Sequence, residues 1–159
     1  MFKLFKKKCE VLEIYAPITG ECLEISQASD PVFKEKLMGE GFFVLPENRE
    51  IWAPIDGIIE MIFPTKHALI IKSVNGVSML IHIGSDTVEL EGIPFNVKIT
   101  EGEKVKKGDI LVNVDFNYIK EKGKGIEVYC LFPELSQTLR VTHNNVKFVT
   151  KQTVIATIC

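Results

Sequence analysis

The stretch "FPTKHALIIKSVNGVSMLIHIGSDTVEL" (63–90) carries two of the chain's three histidines, His67 and His82, within runs that otherwise read as buried β-strand. An Asn-Gly pair between alternating apolar runs is a strong hairpin signal. A two-residue turn at Asn75-Gly76 predicts Val74 opposite Val77; counting outward sets Ile70 against Ile81 and Leu69 against His82. His67, two residues before Leu69, then projects from the His82 face. Diagonal cross-strand neighbours stand roughly 7–8 Å apart, a gap that two imidazoles can close. On this register the histidine face also carries Leu69, Ile71 and Leu80, while Ala68, Ile70, Met79, Ile81 and Ile83 face the other way. Both faces are apolar, so one is core and the other is a second core or a docking surface.

A lone histidine in a strand is usually a packing residue, whereas two within reach on one face can do chemistry. They could ligate a metal as neutral imidazoles. They could work as an acid/base pair in hydrolysis. Or one ring could attack phosphorus while the other steadies the phosphoryl oxygens. Metal is undersupplied: zinc takes three or four ligands, only Asp86 and Glu89 stand nearby, and His143 in "VTHNN" reads as a loop residue. The hydrolytic reading lacks a nucleophile or a water-activating ligand set. A phosphocarrier needs least, namely a neutral accessible ring, a second donor and a partner surface. The residue types alone leave these readings open.

The rest of the chain must supply the frame. Short runs rich in Ile, Val, Phe and Thr recur between Gly, Pro and Asn signals: "CEVLEIYAP", "GECLEIS", "GFFVLP", "GIIEMIF", "DILVNVDF", "EVYCLF" and "NVKFVTKQTVIATI". Such punctuation predicts an all-β antiparallel sandwich or barrel. Helical turns are expected only in "DPVFKEKLMGEG" after Asp30 and in "DFNYIKEKGKG". "IYAPITGECLEI" (14–25) and "IWAPIDGIIEMI" (51–62) repeat aromatic-Ala-Pro-Ile-x-Gly at identical offsets, which predicts a duplicated strand-turn-strand motif. "EGEKVKKGDILVNVD" reads as a further turn feeding a strand.

The 159 residues fit one domain, assigned to 13–159 after a flexible basic arm at 1–12. That arm, "MFKLFKKK", lacks the apolar region and cleavage site of a signal peptide and is expected to be a solvated tail. A net charge of −2 argues against nucleic-acid binding. No apolar run is long enough to span a bilayer. Cys9, Cys22, Cys130 and Cys159 are scattered without a C-x-x-C pair, so reduced thiols are expected.

From "IYAPITGE" through "DPVFKEKLMGEGFFVLP", "WAPIDGIIEMIF" and the histidine hairpin to "EGEKVKKGDILVNVD", the chain resembles the glucose-family enzyme IIA of the bacterial phosphoenolpyruvate-dependent sugar phosphotransferase system. The resemblance covers roughly residues 13–116 and implies an antiparallel β-sandwich with duplicated motifs. It implies a cytoplasmic phosphocarrier that takes a phosphoryl group from phospho-HPr and passes it to a sugar-specific enzyme IIB. The histidine of the family's H-[IF]-G-x-D-T-V motif, here His82, takes the phosphoryl group on Nε2. The earlier histidine, here His67, hydrogen-bonds that group, and Thr65 orients its ring. Asp30 and Asp86 match carboxylates that meet basic residues of a partner, and Val32, Phe33, Phe63, Leu80 and Val88 match an apolar docking rim.

No cofactor is required on this reading. The resemblance also accommodates an adventitious or regulatory zinc between His67 and His82, completed by a partner's carboxylate. Contact with a membrane is expected only peripherally, through an enzyme IIB/IIC permease. The main alternative within the family is a regulatory paralogue that binds permeases or metabolic enzymes. A zinc peptidase on a related β motif lacks its H-x-H and H-x-x-x-D ligands here, and a lipoyl- or biotin-carrying module lacks its modified lysine. The chain departs from the family in losing a Thr-Pro before "EVYCLF". It also carries Asn145 and Lys151 where glycine is commoner, and Lys66 beside the first histidine.

Overall fold

The computed structural model describes residues 10–143 and 145–159; residues 1–9 of the expected arm lie outside the described residues. Leu12, placed in that arm by the sequence reading, already pairs with Ile158. The strands run β1 (Leu12–Tyr15), β2 (Gly20–Glu24), β3 (Glu40–Pro46), β4 (Glu50–Trp52), β5 (Gly57–Ile62), β6 (Ala68–Lys72) and β7 (Ser78–Ser85). They continue with β8 (Phe95–Val97), β9 (Lys104–Val105), β10 (Ile110–Val114), β11 (Gly125–Phe132), β12 (Leu139–Val141), β13 (Val146–Val149) and β14 (Val154–Ile158). The two short helices fall where the sequence puts them. In α1 (Pro31–Lys34) the Asp30 carboxylate accepts from the Val32 amide, and in α2 (Phe116–Glu121) Asp115 accepts from Tyr118. Side-chain caps of this kind satisfy amides that a first turn leaves orphaned.

One antiparallel sheet of eight strands, ordered β13-β2-β3-β11-β7-β6-β5-β9, packs against two three-stranded sheets, β1-β14-β12 and β4-β10-β8. The alternation of apolar residues puts Ile59, Leu69, Ile71, Met79, Ile81, Ile83, Val128 and Cys130 of the large sheet into one core with Ile14, Val112 and Ile155 of the small ones. Burying each such side chain contributes about 1.5–3 kcal/mol. The opposite face of the large sheet carries a second, smaller cluster of Ala68, Leu80, Tyr129, Leu131 and Phe43, roofed by Ile25, Ala28 and Phe33. The histidines belong to this second face.

The aromatic-Ala-Pro echo is a structural pair. The Tyr15 amide donates to the Pro54 carbonyl (2.9 Å) and the Trp52 amide, its counterpart, to Pro17 (2.7 Å), a reciprocal exchange that relates the repeats by a local two-fold. Each repeat is closed by its own later hairpin. β13 and β14 pair with β2 and β1, as β9 and β10 pair with β5 and β4. "EGEKVKKGDIL" therefore has a partner in "FVTKQTVIATI", a second duplication that sequence reading missed because only Val105/Val149 and Lys107/Lys151 align by identity. The missing glycines are accommodated: Asn145 takes φ +60, which Asn tolerates, while Lys151 is absent from the positive-φ residues.

Two expectations fail. The hairpin between β6 and β7 turns through three residues, Val74-Asn75-Gly76, closed by Ser73 N–H to Val77 C=O (2.9 Å), with Gly76 at φ +82. Three-residue loops with glycine in the left-handed region are the next commonest hairpin solution after the two-residue turn. Register shifts by one: Ala68, not Leu69, faces His82, and Ile70 faces Leu80. Ala68 and Ile70 thus join the histidine face, while Leu69 and Ile71 turn to the main core. The second failure concerns the cysteines. Cys22 and Cys130 are free and buried as expected, but Cys159 is disulfide-bonded.

Candidate functional site

His82 projects from the second face of β7, directly opposite Tyr129 of β11 and Ala68 of β6. By strict alternation, the register observed would send His67 to the other face. It does not, because His67 is no strand residue: it ends the loop joining β5 to β6. Phe63 N–H donates to Ala68 C=O (3.0 Å), Lys66 N–H donates to Phe63 C=O (2.7 Å), and Lys66 stands at φ +59. That reversal swings the imidazole over the sheet. The two rings meet with centroids 5.0 Å apart, edge to face at 77°. The pairing expected from the sequence is present, delivered by a loop rather than by a strand diagonal.

Each ring is fixed through Nδ1. In His82, Nδ1 lies 2.8 Å from the Gly84 carbonyl oxygen. A carbonyl only accepts, so Nδ1 carries the proton and Nε2 of the neutral ring keeps its lone pair. The turn that brings this carbonyl back requires Gly84, whose φ is +77 and whose added Cβ would stand 2.5 Å from the Gly125 carbonyl oxygen and from Thr87 Cγ2. Thr87, fully buried, donates its hydroxyl to the Ile83 carbonyl and ties down the same turn. In His67, Nδ1 lies 2.6 Å from the Thr65 hydroxyl. With Thr65 donating, His67 carries its proton on Nε2.

The electrostatics favour neutral rings. Burial lowers the His82 pKa to about 4, helped by His67 and opposed by the Gly84 hydrogen bond and by Asp30. Burial also lowers the His67 pKa. Lys66, the departure beside His67, is exposed; its stem runs past Gly92. It is not among the influences on either histidine.

Around His82 lies a shallow depression of about 180 Å³ lined by Asp30, Val32, Phe33, Met38, Asp86, Thr87 and Val88. Asp30 is half-buried and Asp86 exposed, so two carboxylates flank the ring. Val32 (42% exposed) and Val88 (49%) form the accessible apolar rim. Phe33 and Leu80, which the resemblance places in the rim, are each 4% exposed and offer a partner little surface. Phe33 meets His82 edge-on at 5.0 Å, and half-buried Phe63 meets His67 at 5.5 Å. Tyr129 was missed. Nothing in the run "EVYCLF" says that it forms the strand next to β7. Among the described residues no group of three or more His, Cys, Asp or Glu side chains is placed to hold a metal.

The sequence and the fold both have close counterparts. Residues 12–138 match the family described as phosphoenolpyruvate-dependent sugar phosphotransferase system, EIIA 1. The chain is 42% identical over 152 residues to the PTS system glucose-specific EIIA component of Staphylococcus epidermidis, covering 94% of this chain and 92% of that protein. It is 46% identical over 127 residues to the protein of the same name in Staphylococcus aureus, covering 78% and 76%. The solved structure of glucose permease IIA from Mycoplasma capricolum superimposes with a TM-score of 0.85 at 35% identity, over 93% of this chain and 96% of that one. With its antiparallel sandwich and its paired, Nδ1-anchored histidines, the chain belongs to the EIIA 1 family of the phosphoenolpyruvate-dependent sugar phosphotransferase system.

Proposed function

We propose that His82 Nε2 accepts a phosphoryl group from phospho-HPr and passes it to a sugar-specific enzyme IIB, with a sugar of the glucose class at the end of the relay. The observation that carries this reading is the His82 Nδ1 to Gly84 carbonyl bond of 2.8 Å, which reserves Nε2 for attack. In the forward step the Nε2 lone pair forms the N–P bond as the donor's N–P bond breaks, and the donor imidazole keeps that electron pair. The ring becomes a phosphoimidazolium whose Nδ1 keeps its proton, hydrogen-bonded to the Gly84 carbonyl. Phosphoryl transfer rests on positioning and charge stabilisation. His67 Nε2–H supplies a donor to the phosphoryl oxygens, worth about 2–4 kcal/mol at the transition state.

Asp30 and Asp86 give the face negative charge for a basic partner surface, and Val32 and Val88 its apolar rim. The transfer requires no metal; two imidazoles would offer zinc half of a tetrahedral set, the remainder coming from a partner. The site suits a cytoplasmic protein that meets the membrane only through its permease.

The test is phosphate transfer from phosphoenolpyruvate through enzyme I and HPr. Wild type is expected to take acid-labile, alkali-stable label, His82→Gln none, and His67→Gln label that it passes on poorly. Stoichiometric labelling of His82→Gln would move the acceptor elsewhere, and full-speed transfer by His67→Gln would remove the second role.

A further inference from the structure

One wall of the site is a segment that cannot hold itself. α1 is four residues long, and a single helical turn has no intrinsic stability in water. Its internal ties are local ones: the Asp30 cap on Val32 (3.0 Å), the amides of Phe33 and Lys34 on the Asp30 carbonyl, and those of Glu35, Lys36 and Leu37 on the carbonyls of Pro31, Phe33 and Val32. Yet this turn carries Asp30, Val32 and Phe33, three of the residues around His82. Something outside it must fix its pose.

β11 supplies two anchors that the phosphocarrier mechanism does not use. Glu127 Oε1 accepts from the Ser29 hydroxyl at 3.1 Å, across ninety-eight positions of sequence and one residue before the cap. Tyr129, fully buried and opposite His82, stacks on Phe33 with centroids 3.9 Å apart and planes at 17°. Behind them, Glu127 Oε2, Ser85 Oγ and the Tyr129 hydroxyl are buried, and Glu127 Oε2 has no hydrogen-bond partner among the described residues. Gly125 makes the room: a Cβ there would stand 2.5 Å from Glu127 Oε2 and 3.2 Å from Ser85 Oγ. Buried polar groups of this kind cost stability, and a fold that keeps them usually does so at a functional site.

We propose that Ser29, Glu127 and Tyr129 are positioning residues that clamp α1 to β11, holding Asp30 and Val32 in one pose beside His82 and so setting affinity for phospho-HPr. This rests on the phosphocarrier reading above. The clamp acts on docking and not on the chemical step: Ser29 and Glu127 bond to each other, and Tyr129 meets His82 ring to ring with centroids 6.3 Å apart. Replacing Glu127 by Gln preserves the acceptor oxygen for Ser29, whereas Ala removes it, and Ser29→Thr preserves the donor that Ser29→Ala removes.

The deciding experiment measures initial rates of phosphoryl acceptance against phospho-HPr concentration for wild type, Ser29→Ala, Ser29→Thr, Glu127→Ala and Glu127→Gln. Amide hydrogen exchange over residues 30–36 is followed in the same full-length chains. The two truncations are expected to raise KM about three- to tenfold, the range of one hydrogen bond, with kcat within about twofold. They should also speed exchange at the Phe33 and Lys34 amides, and the conservative variants should behave as wild type. Unchanged KM and unchanged exchange in both truncations would overturn the clamp, as would equal losses in all four variants. Should wild type take no label while exchange still quickens in the truncations, the phosphocarrier reading fails and only the tie of α1 to β11 stands; label on wild type with slow exchange and unchanged KM in the truncations sinks the clamp alone.

Discussion

An imidazole attacks phosphorus only while one nitrogen keeps its lone pair, and His82 secures this by geometry and by burial together. Its Nδ1–H is committed to the Gly84 carbonyl, and its pKa is lowered to about 4. The same shift couples the site to stability. Between pH 6.5 and about 4 the unfolded chain binds a proton at this position that the folded chain refuses, so stability falls as pH falls through that window. For His82 alone the loss is on the order of 3 kcal/mol across the whole window, and His67 adds to it with the same sign. Urea unfolding at pH 7, 6 and 5 should therefore show a steeper decline in wild type than in His82→Gln. Parallel declines would mean that the ring is not desolvated. Thr65 extends the argument to the second ring, since its hydroxyl at 2.6 Å selects which nitrogen of His67 carries the proton.

At the scale of elements, β7 places His82 by its register with β11, and the turn at its end places the carbonyl that orients the ring. Gly84→Ala would put a methyl 2.5 Å from the Gly125 carbonyl oxygen and force a left-handed residue to carry a side chain, a strain of about 1–2 kcal/mol before any clash is counted. We expect more than about 2 kcal/mol lost in urea unfolding and acceptance of phosphate slowed with it. Gly76→Ala, at φ +82 in open space, is the matched control. It should cost only the backbone strain, about 1–2 kcal/mol, and leave acceptance untouched. Equal losses from both would show that the Gly84 turn has no special tie to the histidine. The strands themselves were legible from alternation and punctuation, as were both helical turns, because Asp30 and Asp115 announce their caps. Register was not legible. Asn-Gly serves both a two-residue turn and a three-residue loop, and the two differ by one residue, which reverses every face of β6.

Across the whole molecule, the large sheet uses one face for the main core and gives the other to a small apolar cluster with the histidines at its edge. This division lets the site be rigid beneath and accessible above. Val32 and Val88 stand more than two-fifths exposed beside His82, so charging them should cost the fold little and the interface much. Val32→Asp with Val88→Asp is expected to weaken capture of phospho-HPr tenfold or more, a loss of about 1.4 kcal/mol or more, with an unchanged unfolding midpoint. Wild-type capture by the double variant would put the docking surface elsewhere.

What the sequence by itself determined was composition-level and local: an all-β chain, a duplicated strand-turn-strand motif, two capped turns, and two histidines on either side of an Asn-Gly turn. These follow from periodicity, from glycine and proline punctuation and from motif residues, all of which act over a few neighbours. Only the tertiary structure decided that His67 reaches His82 from a loop, that Phe33 and Leu80 are too buried to offer a partner much surface, and that Tyr129 lies beneath. It also decided that a second hairpin pair completes the two-fold. Each of these depends on which strands become neighbours and in what register. That choice is settled by packing between residues far apart in the chain, such as Ser29 with Glu127 and Tyr129 with His82, and no local pattern encodes it.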